Sequence, residues 1–555
     1  MTEGIMDKNA ASDWKELDGK KERLARRFGN AGTVLRIGVG LAVLLAVLTF
    51  AALRLLPDSD VDAYLSGARC NAAERTPAIY PDYAGCAVPP NIAPMNFEIR
   101  EEGVLFLTRF SVENGFSFVE KGKTADVSIG RWRKLLAEAV GKRVKVEVFV
   151  KGRNGEWSVF SPFYMNVAET PIDGWLHYRL IEPGYEYFSQ IKLAERNLET
   201  FDERFWFEAK STNNRTCVNC HTFQNRRTEN FLFHMRRVCP GSVLCRGGAV
   251  TKLDPNVPSD VLGAAYAAWN PKRPLVAFST NATFQMFHSL SPDRIEVLDA
   301  ASDLILFDAE RSKSKPLCTT PELFETFPSW SQDGATLYYC VAESPYSDAP
   351  TAEKPTAPLA TASVLESANS DAIDRRKLEA PDVYANFRYN LAKRAFDPTT
   401  QTVGEQETLV DAASLGKSIS HPRASPDGST LVYTLSKFGT FPIWRRDADL
   451  WSLNLATGET RPLDELNSDE SESWHEWDSS GRWLIFSSRR DDGAFTRVYI
   501  AYYSEDGNWS KPFLLPQRNP QENFERMKSY NLPEPTVEPI RISPRKLAQA
   551  ARRPC

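Results

Sequence analysis

Along the second half of the chain, short apolar runs alternate with tight polar turns at a recurring interval. Trp269-Asn-Pro-Lys-Arg-Pro-Leu-Val-Ala-Phe278 lines up with Trp330-Ser-Gln-Asp-Gly-Ala-Thr-Leu-Tyr-Tyr339. Both line up with Ala424-Ser-Pro-Asp-Gly-Ser-Thr-Leu-Val-Tyr433 and with Trp477-Asp-Ser-Ser-Gly-Arg-Trp-Leu-Ile-Phe486. Each unit predicts a tight turn between two strands, the second ending in an aromatic residue. A further strand follows most of them, at 303–307, 449–453 and 497–501. Units of this kind, spaced by roughly 50 to 95 residues, predict the four-stranded blades of a β-propeller, five or six of them, over residues 231–520. The stretch 345–375, rich in Pro, Ala, Ser and Thr, reads as a mobile surface insertion.

Earlier in the chain the period is two. Arg143-Val-Lys-Val-Glu-Val-Phe-Val150 places Val144, Val146 and Val148 on one face of a half-buried strand, and 104–110 and 157–167 are similar runs. Asn154-Gly155 tolerates positive φ at both positions and predicts a hairpin. With one short helix around 131–139, residues 96–185 are expected to form an immunoglobulin-like β-sandwich. Ile191, Ala194, Leu198 and Phe201 share one helical face, so a helix is expected over 186–201, followed by a polar loop to residue 230. The fold class is therefore mainly β.

One apolar segment differs from all of these. Ile37–Leu53 holds 17 residues without a charge, flanked by Arg36 and Arg54. That length suits a single membrane-spanning helix, placed at 37–56. Lys20, Lys21, Arg23, Arg26, Arg27 and Arg36 precede it, and Asp58, Asp60 and Asp62 follow. The asymmetry puts residues 1–36 in the cytoplasm and the bulk of the chain in the periplasm, tethered to the inner membrane. A cleaved signal peptide is the alternative. Residues 57–95 read as an extended, Pro-rich linker and 521–555 as a C-terminal tail. With 42% hydrophobic and 25% charged residues in 555, the chain has the composition of a globular protein of two or three domains. A net charge of −5 gives no reason to expect a nucleic-acid partner.

The chemistry concentrates at Cys217-Val218-Asn219-Cys220-His221. C-x-x-C-H is the attachment pattern of a c-type haem, in which two thiols add to the porphyrin vinyl groups and the following imidazole binds iron. On this reading Cys217 and Cys220 hold one covalent haem c and His221 is the proximal ligand. A structural disulfide, a redox dithiol or half of a zinc site are the alternatives. His234 is the first candidate for the sixth ligand and Met235 the second; alternatively His234 is an ordinary hydrogen-bonded strand residue. His421 and His475 precede two of the repeat units on segments that enter a blade from the inside. With Arg489 and Arg490 they form a candidate channel site for an anionic ligand or the haem propionates, or else Arg489-Arg-Asp-Asp492 is a solvated turn. His177 and His288 are expected to be structural. Three sequence-local pairs, Cys70 with Cys86, Cys239 with Cys245 and Cys318 with Cys340, would close as disulfides in an oxidising compartment. No nucleophile elbow, Walker loop, metalloprotease helix or dinucleotide-binding motif is present, so an enzyme is less expected than a carrier or binder.

The four units resemble the TolB-type, WD-like propeller repeat, whose core reads W-S-P-D-G-x-x-L-x-F. Ala424-Ser-Pro-Asp-Gly428 lacks the leading Trp, and Asn270-Pro-Lys-Arg273 lacks the Gly. With Arg215-Thr-Cys-Val-Asn-Cys-His221, Asn230-Phe-Leu-Phe-His-Met-Arg236 and Phe486-Ser-Ser-Arg-Arg-Asp-Asp-Gly493, the whole chain resembles a group of bacterial envelope proteins. These combine a membrane anchor, a β-sandwich, one C-x-x-C-H and a TolB-like propeller. The resemblance implies haem binding and a periplasmic location and supplies no substrate. The leading expectation is a membrane-tethered monohaem cytochrome-like protein for electron transfer or redox sensing, with a redox partner or envelope protein docked on the propeller. The alternative is a non-redox binding or scaffold module for a glycan, peptide, protein or small molecule, with haem structural.

Overall fold

A computed structural model describes residues 61–183, 188–213, 216–237, 239–253, 264–287, 295–344 and 385–553. The chain divides into two units, residues 1–67 and 68–555. In the first, the short helix Val61–Leu65 is described. The expected insertion, 345–375, lies outside the described residues.

The second unit is mainly β, and its larger part is a ring of six antiparallel sheets. Blades 1 to 5 begin with the inner strands Thr216–Gln224, Ala264–Trp269, Leu323–Trp330, Ser418–Ala424 and Glu472–Trp477. Blade 6 is composite. Its inner strand, Ser529–Thr536, comes from the C-terminal end and pairs antiparallel with Trp175–Ile181. Lys192–Asn197 and Glu203–Glu208 complete that sheet. Each inner strand touches the next and the sixth touches the first, so the ring closes without a free inner edge.

The repeat turns explain themselves locally. Gly334, Gly428 and Gly481 sit at φ of +73°, +72° and +68°, which an L side chain rarely adopts. Asp333 and Asp427 each accept the backbone N–H two residues on, closing the turn as a side-chain mimic of the backbone. The unit without glycine keeps this chemistry differently: Asn270 Oδ1 accepts the N–H groups of both Lys272 and Arg273.

Residues 70–167 carry a seven-stranded sheet, a three-stranded sheet and the helix Ile129–Ala139. The immunoglobulin-like sandwich expected here is corrected. Cys70–Ala73 runs parallel to Trp157–Phe160, and Ala87–Val88 runs parallel to Phe163–Val167. Alternation predicts strands, but not partners, and here segments far apart in sequence pair in parallel. The apolar core of this region continues into the propeller through Leu176, Tyr178, Trp483, Ile485, Val498 and Ile500.

Further expectations are corrected. The helix over 186–201 is a short turn, Phe188–Gln190, followed by the strand Lys192–Asn197. Its middle residues are buried on both faces, inside the stacked blades, so the period-two signal is lost. The haem loop is a strand, Thr216–Gln224. Residues 529–536 are blade strand, not tail. The three disulfides are not formed, and the eight described cysteines are free. Cys318 and Cys340 belong to different core clusters, and Cys86 is buried while Cys70 is exposed. Among the described residues no helix is long and apolar enough to cross a membrane. The expected membrane tether, single-pass inner-membrane topology and membrane partner find no such helix there, and the expected span Ile37–Leu53 lies outside the described residues.

Candidate functional site

Every inner strand carries a bulge at the same place. The pairing register slips between Asn219 and His221, Ala265 and Ala268, Thr326 and Ser329, Ser420 and Arg423, Ser473 and Glu476, and opposite His177 and Arg179 in blade 6. At five of the six bulges a non-glycine residue takes positive φ: Tyr266 +46°, Phe327 +50°, His421 +52°, Trp474 +49° and Leu532 +53°. Single bulky residues in this region cost about 1–3 kcal/mol each and persist only where surrounding structure over-determines them. Repeated around a ring, the bulges bring side chains from every blade to one level of the central channel.

The result is a pocket lined by Cys220, His221, Tyr266, Phe327, His421, Arg423, Trp474, His475, Glu476 and Glu534. Its volume is about 50 Å³, room for a few waters. Four aromatic rings form its wall: Tyr266 and Phe327 lie 4.2 Å apart between centroids, Phe327 and His421 4.2 Å, and His421 and Trp474 3.8 Å.

The imidazoles are the unusual feature. His221 is 3% exposed and His421 1%; the His221 ring faces the Leu532 and His177 backbone, whereas neither ring nitrogen of His421 reaches a hydrogen-bond partner. His475 bonds the Val432 carbonyl oxygen through Nε2 at 2.9 Å, and its ring also faces the His421 backbone. Burial, and then the nearby Arg179 guanidinium, hold His221 down at about 3. Burial likewise holds His475 at about 3, and burial with Arg423 holds His421 well below its ordinary value. All three rings are neutral at physiological pH.

Two carboxylates complete the floor. Glu476 is paired, with Arg423 at 2.9 Å and Arg226 at 3.4 Å. Glu534 accepts the Phe223 N–H at 2.9 Å and the Thr222 hydroxyl at 3.4 Å, without a basic side chain in ion-pair contact. Burial, and then the adjacent Glu476 charge, push its carboxyl up to about 8. The fold therefore holds a proton that the unfolded chain has released above the usual carboxylate range. Stability from this group is present below that range and is lost as the pH rises toward about 8. Melting temperature is expected to fall more steeply between about pH 5 and about pH 8 in the wild type than in Glu534→Gln. Identical pH profiles would show that Glu534 is not the group.

The structure unites some of the sequence candidates and separates others. His421 and His475 share the pocket with Cys220 and His221. His234 leaves the opposite face of its strand, pairs with Asn219 in register, and hydrogen-bonds Ser242 Oγ through Nδ1 at 3.0 Å. Met235 is fully buried beside Val218 and Phe233. Neither candidate sixth ligand is presented to the pocket. Arg489 and Arg490 are outside it as well. Arg489 stacks 4.2 Å over Trp444, and Arg490 pairs with Glu472 at 3.0 Å. His177, expected to be structural, bonds Thr536 Oγ1 at 2.9 Å and packs 4.3 Å from the Phe223 ring. His288 lies outside the described residues.

For a covalent haem the residue types are present: two free, part-exposed thiols and a buried imidazole. The cavity beside them does not hold a porphyrin, and the His221 ring packs edge-on against Trp206 and Phe223. The electron-carrier expectation is corrected on this geometry, as is the redox partner. What the blades assemble at the centre is a small pocket walled by aromatic rings.

Tyr266, Phe327, Trp474, Arg423, Glu476 and Glu534 were not legible as site residues. A signal existed. Tyr266, Phe327, His421 and Trp474 each stand three residues before the first position of a repeat unit. Cys220 stands three before Phe223 and Leu532 three before Pro535, so the C-x-x-C-H motif occupies an unrecognised fifth copy of the same frame.

The fold and site define a six-bladed β-propeller with an N-terminal β region and a central pocket. No family model matches the chain, and no curated protein matches it. Solved structures with a similar arrangement include TolB from Acinetobacter baumannii, at 9% identity and a TM-score of 0.38, covering 73% of this chain and 85% of that one. An oligogalacturonate lyase from Vibrio parahaemolyticus matches at 13% identity and a TM-score of 0.28, covering 66% and 87%. Hydrazine synthase from Kuenenia stuttgartiensis matches at 13% identity and 0.25, covering 48% of this chain and 61% of that one. These likenesses are distant, and the propeller assignment rests on strand order and ring closure.

Proposed function

We propose that this chain is a ligand-binding propeller, a recognition module that takes its ligand at the central pocket. The observation that supports it is the convergence of His221, His421 and His475 on one small cavity, with both nitrogens of His421 unsatisfied inside a wall of aromatic rings. Buried polar atoms without partners cost about 1–3 kcal/mol each, a cost that a bound ligand removes. The strained bulges that present the rings are the kind of backbone that concentrates at ligand sites.

The reading is tested by following melting temperature against small amines, acids, sugars and short peptides. A ligand that binds only the folded chain raises stability by about 2.7 kcal/mol at a hundredfold excess over Kd. At least one class is expected to do so. His421→Phe, which keeps the ring contacts and removes the nitrogens, should weaken that effect by about tenfold. No stabilisation by any class, or an undiminished effect in His421→Phe, would remove the reading.

A further inference from the structure

Not every arginine around the central pocket has an acid to meet. Arg423 and Arg226 do: both contact Glu476, at 2.9 and 3.4 Å, and both draw on Glu534. Arg179, on the strand Trp175–Ile181, does not. It is 6% exposed, and no carboxylate among the described residues pairs with it. Nη1 donates to Asn219 Oδ1, Nε is buried without a partner, and Nη2 makes no hydrogen bond among the described residues. Arg236 is half-buried and likewise without an ion pair among the described residues. It stands directly opposite Cys217 in the pairing of Thr216–Gln224 with Arg227–Arg237, on the same face of the sheet. Asn219 joins the two, since its Nδ2 donates to Cys217 Sγ at 3.4 Å while its Oδ1 holds Arg179. Both guanidiniums act on Tyr266. Burial, then Asp299 and Cys220, push that hydroxyl up, and Arg236 and Arg179 draw it back. Tyr266 and Cys220 line the pocket, so the two arginines flank it. Asp299 itself is engaged elsewhere, its two oxygens accepting from Tyr389 and Asn281.

We infer that Arg179 and Arg236 bind an oxyanion, a carboxylate or phosphate group, on the side of the pocket formed by Cys217, Asn219 and Tyr266. A guanidinium is always charged and presents its N–H donors as a planar fork that matches two oxygens of such a group. Arg179 has one edge of the fork to offer, Nε with Nη2, because Asn219 occupies only Nη1. A buried charge without a counter-charge destabilises the fold that carries it, and an anion removes that penalty. A cation would meet two unpaired guanidiniums, and a neutral group would leave both uncompensated. The adjoining cavity, about 50 Å³, holds no large group. The oxyanion is therefore inorganic phosphate or the carboxylate of a small organic acid.

The inference names the charge of the ligand and rests on the pocket reading for the adjoining cavity; the test separates the two. Sodium phosphate and sodium succinate are titrated into the full chain by calorimetry near pH 7.5 at constant ionic strength, with sodium chloride and ethylammonium chloride as controls. Phosphate or succinate is expected to bind, and neither control is. A preference of about tenfold or more between them identifies the source, and equal affinities identify a site for either. Arg236→Gln changes a half-buried position and should fold, and it should weaken binding by about tenfold or more. Arg179→Met should weaken it at least as much. Because that change removes a buried charge without a counter-charge, the free variant should melt at or above the wild-type temperature. An arginine that only braced the fold would lower it. Equal affinity in the folded Arg179→Met and Arg236→Gln variants overturns the inference, as does the absence of binding by both phosphate and succinate. If a sugar or amine binds in a His421-dependent way while neither oxyanion does, the inference fails and the pocket remains the ligand site. Oxyanion binding lost in the arginine variants and untouched by His421→Phe supports the inference and removes the pocket reading instead.

Discussion

Deleting residues 529–555 is expected to abolish folding of the propeller instead of trimming a tail. The strand Ser529–Thr536 is the inner strand of blade 6 and joins the last part of the chain to Trp175–Ile181. Without it the ring opens between blades 5 and 1, and two β-edges face water. Tyr530 and Asn531 leave the core, and so do Leu547, Ala550 and Ala551 of the helix Pro544–Ala551, which packs near Trp206 and Phe231. The loss of a full strand and a helix from one closed structure exceeds the roughly 5–15 kcal/mol that separates a domain from its unfolded state. The truncated chain should lack a cooperative melting transition and aggregate. A cooperative melt within a few degrees of the full chain would show that the ring closes without this strand.

The second large effect is expected at a buried ion pair. The strands Leu275–Phe287 and Ile295–Asp308 of blade 2 are far longer than their neighbours and run on beyond the blade. Glu296, on that extension, meets Arg445 of blade 4 at 2.8 Å, with the two side chains 5% and 2% exposed. The Arg445 guanidinium also lies 3.5 Å over the Phe438 ring. Close by, the Tyr389 hydroxyl donates to Asp299 Oδ2 at 2.7 Å and Asn281 Nδ2 donates to Oδ1 at 2.8 Å. Glu296→Ala leaves the buried Arg445 guanidinium with only the longer, 3.7 Å contact to Asp447 and should cost about 3 kcal/mol. Replacing both partners, Glu296→Met with Arg445→Leu, removes the uncompensated charge and should recover most of that loss. Denaturant midpoints of the wild type, single and double variants measure both terms. A single variant within 1 kcal/mol of wild type, or a double variant no better than the single, would refute this account of the hairpin extension.

Much of the propeller was readable because its turns use local chemistry. Asp333-Gly334 and Asp427-Gly428 announce the turn wherever they fall, and the apolar runs on either side announce two strands. Blade 6 was not readable, because its strands come from opposite ends of the chain and a sequence window sees only neighbours. Nor was the strand Lys192–Asn197, whose two buried faces erase the alternation that marks a half-exposed strand. The parallel pairs of the N-terminal sheet failed for the first reason again.

The candidate site shows the same division. Cys217, Cys220 and His221 stand out as residue types at a fixed spacing, and that much belongs to the sequence. The same residues also fill the inner-strand frame shared with Phe327-Pro328 and Trp474-His475, which appears only once Asn219 and His221 are seen to flank a bulge. The sequence by itself determined the turns and most blade strands. Only the tertiary structure decided that His221, His421, His475 and Glu534 meet, although more than 300 residues separate the first from the last. Ring closure brings every inner strand to one axis, so distance along the chain ceases to predict distance in space. It also decided their protonation, since exclusion of water at that axis holds the imidazoles neutral and the Glu534 carboxyl protonated.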